Sequence, residues 1–486
     1  MASRNYDAAL AKLSLLSSNS AITSLFDKPS GAAKKPDAAS LNAQAIPEVV
    51  EWLRRAGYEP QDLTRMRHIH VAGTKGKGSV CAFATAMLRE YGTVGTYTSP
   101  HLVSPRERIA IDGEPVSQDV FTSAFFELWD RFTQAAVKDG ADPEVAEGPT
   151  SKPFYFRFLT ILAWHIFMQQ GIPNVVMEVG IGGEYDSTNV MPAEAVSAAV
   201  VSQLGIDHVA MLGDTIEKIT WHKAGIFKPG VKGFTLRLHE EPGVMSVLRE
   251  RAKEKGTVLE ELDERIVDAW SGVESSLMGD FQKRNQALAV AAVREHLGLG
   301  CAADAVLQDI PTKMLNGLRK ARLRGRCEVI QQPDVEWMID GAHTKESIEQ
   351  VATWLTQTIQ PDEKVVLVFN QQERDAVHLL SCLVQTVEKM GRDSSVFSHA
   401  LFTRNERHPP SAGEEARDLT VQKATADAMS RLAPGCVVST CDNLEKAVKD
   451  ARAITESRGS KGRVLVTGSL HLVGGILRTL EPESLL

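Results

Sequence analysis

The chain has 486 residues, 43% hydrophobic and 24% charged, with 54 Lys and Arg against 62 Asp and Glu for a formal net charge of −8. That length exceeds one ordinary core and predicts two or three domains of a globular enzyme. The acidic balance speaks against a nucleic-acid partner, no stretch approaches the roughly 18 unbroken apolar residues of a membrane span, and six scattered cysteines without a C-x-x-C pair speak against a disulfide framework or zinc site.

Taken in order, the first twenty residues lack a secretory apolar core and the Arg-rich, acid-free pattern of an organelle leader. The expectation is a cytoplasmic monomer, with a mitochondrial form from another start site left open. Ser30–Ser40 ("SGAAKKPDAAS") reads as a surface loop. "RHIHVAG" is a strand running into a glycine loop, with a helix from Ser79 onward. "SQDVFTSAFFELWDRFTQAAV" has helical periodicity, Lys138 to Pro153 is a polar loop, and "PFYFRFLTILAWHIFMQQG" is a buried helix between Pro153 and Gly171. "NVVMEVG" and "AVSAAVVSQLG" are buried strands, "TIEKITWHKAGIF" a helix, and "DFQKRNQALAVAAVREHLG" an alanine-rich helix. Beyond Gly325, "VEWMIDGAH", "KVVLVFN" and "RVLVTGSLHLVGG" are strand-to-loop segments separated by helices such as "KESIEQVATWL". Alternating strands and helices predict an α/β protein with mainly parallel sheets, divided into residues 1–325 and 326–486.

The loop "GTKGKGS" carries the first chemistry. Gly73, Gly76 and Gly78 let backbone N–H groups converge on an anion, Lys77 adds a point charge, and a helix N-terminus follows. Gly78 separates Lys77 from Ser79, so the spacing is not that of a Walker A loop. A plain glycine-rich turn is the bland alternative. Glu178, at the end of "NVVMEVG", opens onto the crevice beyond the strands and suits Mg²⁺; it could equally be a salt-bridged strand end. His208 follows another strand, and on softness alone it is a poor magnesium ligand. Lys223 could be a solvated helix lysine. Arg106 and Arg108 could form a charged surface turn, or a planar fork for the carboxylates of an acidic substrate.

"GTKGKGS", "TSPHLVSPRERI", "FRFLTILAW", "EVGIGGEYDSTN", "GIDHVAMLGDTIEKITWHKAGI" and "DGAHTKES" lie in order along the chain. Together they resemble the Mur ligase superfamily, ATP-dependent amide-forming enzymes, and within it the folylpolyglutamate synthase branch. The resemblance implies an N-terminal P-loop ATPase-like domain, a smaller C-terminal Rossmann-like domain and an active site in the cleft between them. It implies ATP and, by way of two Mg²⁺ ions and K⁺, addition of L-glutamate to a reduced folate through an acyl phosphate.

Residue by residue, the nucleotide roles fall on Gly73, Thr74, Gly76, Lys77, Gly78 and Ser79. In similar enzymes a linker arginine, here Arg326, reaches the phosphates, Asp340 serves the ribose and His343 lies near the phosphates. "GDFQKRN" carries over only Gln282 and Asn285, because Phe281 replaces a histidine. "RGRCE" has Arg324 where the family has proline. Metal coordination falls on Ser99, Glu178 and His208, with Lys223 carbamylated for a second ion. Substrate handling falls on Arg108, Asp186 and Asn189, and the incoming glutamate on Ser469 and His471. Dihydrofolate synthase, with dihydropteroate as acceptor, is the nearest alternative. A peptidoglycan ligase and a nucleotide-binding switch are further ones.

Overall fold

The computed structural model describes residues 4–16, 38–300, 305–372, 375–411, 413, 415–456 and 462–481. Residues 30–37 of the expected Ser30–Ser40 loop lie outside them, and Ala38 opens a helix that runs to Arg55.

The chain forms two compact units. The first comprises Met1–His101, Pro105–Ser275 and Phe281–Arg322. The second runs from Leu323 and takes in Leu102–Ser104 and Ser276–Asp280, short segments that no single cut at Gly325 would give it.

The first unit is built on an eight-stranded sheet. Its strands are β1 (Arg67–Ala72), β2 (Val94–Tyr97), β3 (Ile109–Ile111), β4 (Glu114–Pro115), β5 (Asn174–Glu178), β6 (Val196–Val201), β7 (Lys232–Arg237) and β8 (Val258–Asp263), in the spatial order 4-3-2-5-1-6-7-8. Strands β2, β5, β1, β6, β7 and β8 pair in parallel, while β3 pairs antiparallel with both β2 and β4. Parallel strands covered on both faces are buried along most of their length; β5 and β6 are mainly apolar, whereas β1 buries His68 and His70, which pair with the Ala195 carbonyl and with Thr188 Oγ1. Helix α1 (Lys77–Arg89) follows β1, and α2 (Gln118–Lys138) and α3 (Tyr155–Gln169) pack together through Phe125, Trp129, Phe132 and Phe158. Each such buried aromatic contributes about 1.5–3 kcal/mol. Further along come α4 (Ile216–Lys223), α5 (Pro242–Lys255) and α6 (Gln282–His296).

The polar stretch from Lys138 to Pro153 is not all loop. It holds a short helix, Pro143–Glu147, and a 3-10 turn, Pro149–Ser151. Asp142 accepts the Glu144 N–H and Pro143 supplies a preset first turn, so local capping suffices where hydrophobic periodicity is absent.

The second unit has a six-stranded sheet of β9 (Glu328–Gln331), β10 (Val335–Ile339), β11 (Val365–Phe369), β12 (Phe397–Phe402), β13 (Val437–Thr440) and β14 (Gly462–Thr467), ordered 13-12-11-14-10-9. All neighbours are parallel except β9 with β10. Its core joins Trp337, Val366, Val466 and Leu444 to the last helix, α7 (Leu470–Leu480).

Candidate active site

The central strands β5, β1 and β6 end side by side, so the loops that follow them share one edge of the sheet. The loop after β1 is latched to the loop after β6. The Thr74 and Lys75 N–H groups donate to the Gln203 carbonyl at 2.8 and 3.1 Å. Thr74 Oγ1 donates to the Gly205 carbonyl at 3.0 Å and accepts the Gly205 N–H at 3.1 Å. Ser202 Oγ lies 3.1 Å from the Ala72 carbonyl and 2.7 Å from that of Lys75. A side chain at Gly73 would collide with Ser202 Oγ, which is why a glycine stands there.

Helix α1 begins at Lys77, two residues before the expected Ser79, because Gly76 takes the left-handed conformation (φ 83°) that starts the turn. No side chain caps this end, so the first-turn N–H groups of Lys77, Gly78 and Ser79 are left for an anion. From α6, Asn285 and Gln282 close over the loop: Asn285 Nδ2 donates to Gln282 Oε1 at 2.8 Å, and Gln282 Nε2 to Ser79 Oγ at 3.4 Å. Both are buried, and Asn285 occupies the space that a Cβ at Gly76 would need.

Two lysines meet at one carbonyl. Lys77 Nζ donates to the Gly73 oxygen at 3.1 Å and Lys223 Nζ to the same oxygen at 2.8 Å. Lys223, read as solvated in its bland alternative, is 2% exposed. Burial, and then the charge of Lys77, lower its pKa to about 7, against partial support from Asp207. Lys75 stands 3.7 Å from Asp207. His208 sits in a left-handed turn (φ 52°) after β6. Desolvation lowers its pKa, Asp207 opposes this, and the charges of Lys223, Lys77 and Lys75 lower it further.

Glu178 is buried at the end of β5 and accepts the Ser99 N–H at 2.9 Å. Two of the expected metal-binding residues therefore meet, and their hard oxygens suit Mg²⁺ completed by phosphate and water. Among the described residues no group of three or more His, Cys, Asp or Glu side chains could hold a metal ion by itself.

The glycine loop after β5 is organised by Asp186 and Asn189. Asp186 accepts N–H groups from Gly180 (3.1 Å), Ile181 (3.0 Å) and Thr188 (2.9 Å), and the Thr188 hydroxyl (2.6 Å). Asn189 Nδ2 donates to the carbonyls of Glu184 and Gly225, each at 3.1 Å. These bonds shape the wall beside Lys223, and both side chains are spent largely on backbone.

Arg106 and Arg108 do not form a charged surface turn. Arg106 Nη1 donates to the Val116 carbonyl at 2.9 Å, and its guanidinium lies over Tyr6. Arg108 is 6% exposed, with Nε on His101 Nδ1 at 2.9 Å and its guanidinium carbon 5.5 Å from the centre of the Tyr155 ring.

In the second unit, Asp340 is buried after β10. Its oxygens accept the N–H groups of Cys327 (2.7 Å) and Ala342 (2.8 Å). Burial raises its pKa, against the nearby charge of Arg326. His343 Nδ1 pairs with the Gly341 carbonyl at 2.8 Å. Arg324, standing where the family has proline, is ion-paired to Glu328 and Glu481, each at 2.7 Å. Two carboxylates thus tether the segment that a proline ring would stiffen. Ser469 caps α7 by accepting the Leu472 N–H at 3.1 Å, and His471 is exposed on its first turn.

Sequence reasoning missed Ser202, Asp207 and His101. Ser202 follows the apolar strand β6 directly, the same kind of strand-end position that nominated Glu178.

The parallel sheet and its uncapped glycine loop define a phosphate-loop α/β protein. Residues 324–479 match the family described as dihydrofolate synthetase, C-terminal domain. The chain is 38% identical to a folylpolyglutamate synthase of Neurospora crassa, over 90% of this chain and 86% of that protein. It is 37% identical to one of Saccharomyces cerevisiae, over 90% and 81%. Among solved structures, Mycobacterium tuberculosis folylpolyglutamate synthase complexed with ADP and AMPPCP aligns with a TM-score of 0.67 and 25% identity, over 91% of this chain and 99% of that one. E. coli FolC in complex with DHPP and ADP shares the fold, with a TM-score of 0.64 and 22% identity over 94% and 99%. The chain belongs to the folylpolyglutamate synthase family.

Proposed function

We propose that this chain is an ATP-dependent ligase that joins L-glutamate to the glutamyl carboxylate of a reduced folate. The observation that carries the reading is the pair of lysines at Gly73 beside an uncapped helix N-terminus, in a chain of this family. The N–H groups of Lys77, Gly78 and Ser79 and the Lys77 ammonium hold the triphosphate. A carboxylate oxygen of the folate attacks the γ-phosphorus, releasing ADP and leaving an acyl phosphate. The amine of free glutamate then attacks the acyl carbon, expels phosphate and loses a proton as the amide forms. The chain contributes position and charge, with no nucleophile of its own.

Magnesium, held by Ser99, Glu178 and His208 and, for a second ion, by a carbamylated Lys223, would neutralise phosphate charge, with K⁺ as a further cation. A Lys223 pKa near 7 supports carbamylation, because only the neutral amine reacts with CO₂. Arg108 is given the acceptor's carboxylate, Asp186 and Asn189 the wall of its site, and Ser469 and His471 the incoming glutamate. Arg326, Asp340 and His343 are given to the nucleotide, and a cytoplasmic location is part of the same reading.

The test is incorporation of labelled glutamate into tetrahydrofolate, with ADP release measured in parallel. ATP turnover without labelled product refutes the ligase. The match of residues 324–479 to a dihydrofolate synthetase domain favours a second reading, in which dihydropteroate is the acceptor. Preferential labelling of dihydropteroate would establish it.

A further inference from the structure

Arg108 ends the 3-10 turn Pro105–Arg108, and its carbonyl accepts the Thr98 N–H at 3.0 Å, one residue before Ser99. Its guanidinium is fixed at one end only. Nε donates to His101 at 2.9 Å, and the plane lies against Tyr155. Among the described residues, neither Nη group of Arg108 has a hydrogen-bond or ion-pair partner. The neighbouring arginines differ: Arg106 spends Nη1 on the Val116 carbonyl, and Arg157 spends Nη1 on Glu48 at 2.7 Å. Burying a guanidinium without a carboxylate is costly unless a ligand supplies the charge. The two open Nη groups are the parallel donors that grip a carboxylate.

An arginine Nε can only donate, so His101 Nδ1 must be the lone-pair nitrogen and Nε2 must carry the proton. We propose that His101 is a positioning residue: in its neutral Nε2–H form it holds Arg108 by Nε and aims the two Nη groups as a fixed fork at a carboxylate of the acceptor substrate. The inference rests on the ligase reading above, and it concerns how that site is held.

Steady-state kinetics on the full chain test it, with KM determined separately for folate, ATP and glutamate. His101→Leu removes the acceptor and raises the folate KM about tenfold or more, the scale of one hydrogen bond to a charged group. The ATP KM stays within about twofold, since uniform damage would move both. His101→Asn, whose Oδ1 reaches the place of Nδ1, restores most of the loss. On an Arg108→Lys background His101→Leu adds little, because the two side chains act as one unit. An unchanged folate KM, an equal rise in both KM values, or no recovery in His101→Asn overturns the proposal. Nitrogen NMR of selectively labelled wild-type protein gives a reading that needs no variant: an unprotonated Nδ1 is expected, and a protonated one overturns it. Absence of any labelled product from wild type would instead refute the ligase reading and leave the tautomer result standing.

Discussion

The carboxyl edges of the two sheets handle buried charge in opposite ways. In the first unit, Lys77 and Lys223 share one carbonyl oxygen, and an uncapped helix end points at the same place. In the second, Asp340 is surrounded by backbone N–H groups that answer it, and Ser469 is spent on capping α7. One edge gathers two lysines and open helix N–H groups, with Asp207 offsetting Lys223 only in part; at the other, backbone N–H groups answer the buried carboxylate. A site for a polyanion is recognised by what its fold leaves unpaired.

The sharpest way to break this contrast is Lys77→Ala. Removing a preorganised charge aimed at the transferring phosphoryl group should lower glutamate-dependent ADP release at least about a hundredfold. Far-UV circular dichroism should be unchanged, since Lys77 is partly exposed at the helix start. Turnover near that of wild type would remove the loop from the chemistry.

Lys223 gives the next largest effect, and it is read through pH. Its pKa falls from an ordinary 10.5 to about 7 on folding, so between those values the unfolded chain binds the extra proton. Stability should therefore rise as pH increases from 7 towards 10.5, and the folded state is penalised below that window. In CO₂-free buffer, where the amine is unmodified, Lys223→Met should melt higher than wild type at pH 7 and lose that advantage as pH approaches 10.5. Parallel melting curves for the two proteins across the window would mean that Lys223 carries no such penalty.

This burial explains why the site was only partly legible in sequence. The β1–loop–α1 segment could be read because a β-branched strand, three glycines and a lysine are local signals. The environment of Lys223 is not local. Helix α4 has a polar pattern, and the lysine is enclosed because the glycine loop folds back over it: a Cβ at Gly183 would lie 2.7 Å from the His222 carbonyl and 2.9 Å from that of Lys223. Glu184 is held there by Arg251 and by Lys255, the latter at 2.9 Å, both on α5. No spacing rule joins residues so far apart in sequence. The same limit applies to His101, whose bond to Arg108 depends on how the intervening chain returns. The strand order of either sheet was equally invisible, although the parallel α/β class followed from alternation alone.

Asp340→Asn sharpens the other half of the comparison. The carboxylate accepts on both oxygens, so an amide of the same shape must turn an N–H group towards the N–H of Cys327 or Ala342. The expected cost is about 1–3 kcal/mol, the penalty for a buried donor left without its acceptor. It should appear as a lower denaturation midpoint together with weaker ADP binding, because Asp340 is also given to the nucleotide. Lost stability with ADP affinity unchanged would leave Asp340 as an acceptor for its own backbone alone.

Ser469→Ala should give the smallest effect and separates two roles most cleanly. As the cap of α7, Ser469 satisfies one N–H, and its loss should cost about 1 kcal/mol. Asp, a strong cap of similar reach, should recover that stability in Ser469→Asp. A hydroxyl that also meets the incoming amino acid behaves differently under the same pair of changes. The aspartate would restore the helix yet set a negative charge against the carboxylates of glutamate, so the glutamate KM would rise further as stability returned. Recovery of both stability and glutamate KM in Ser469→Asp would leave Ser469 as a helix cap alone.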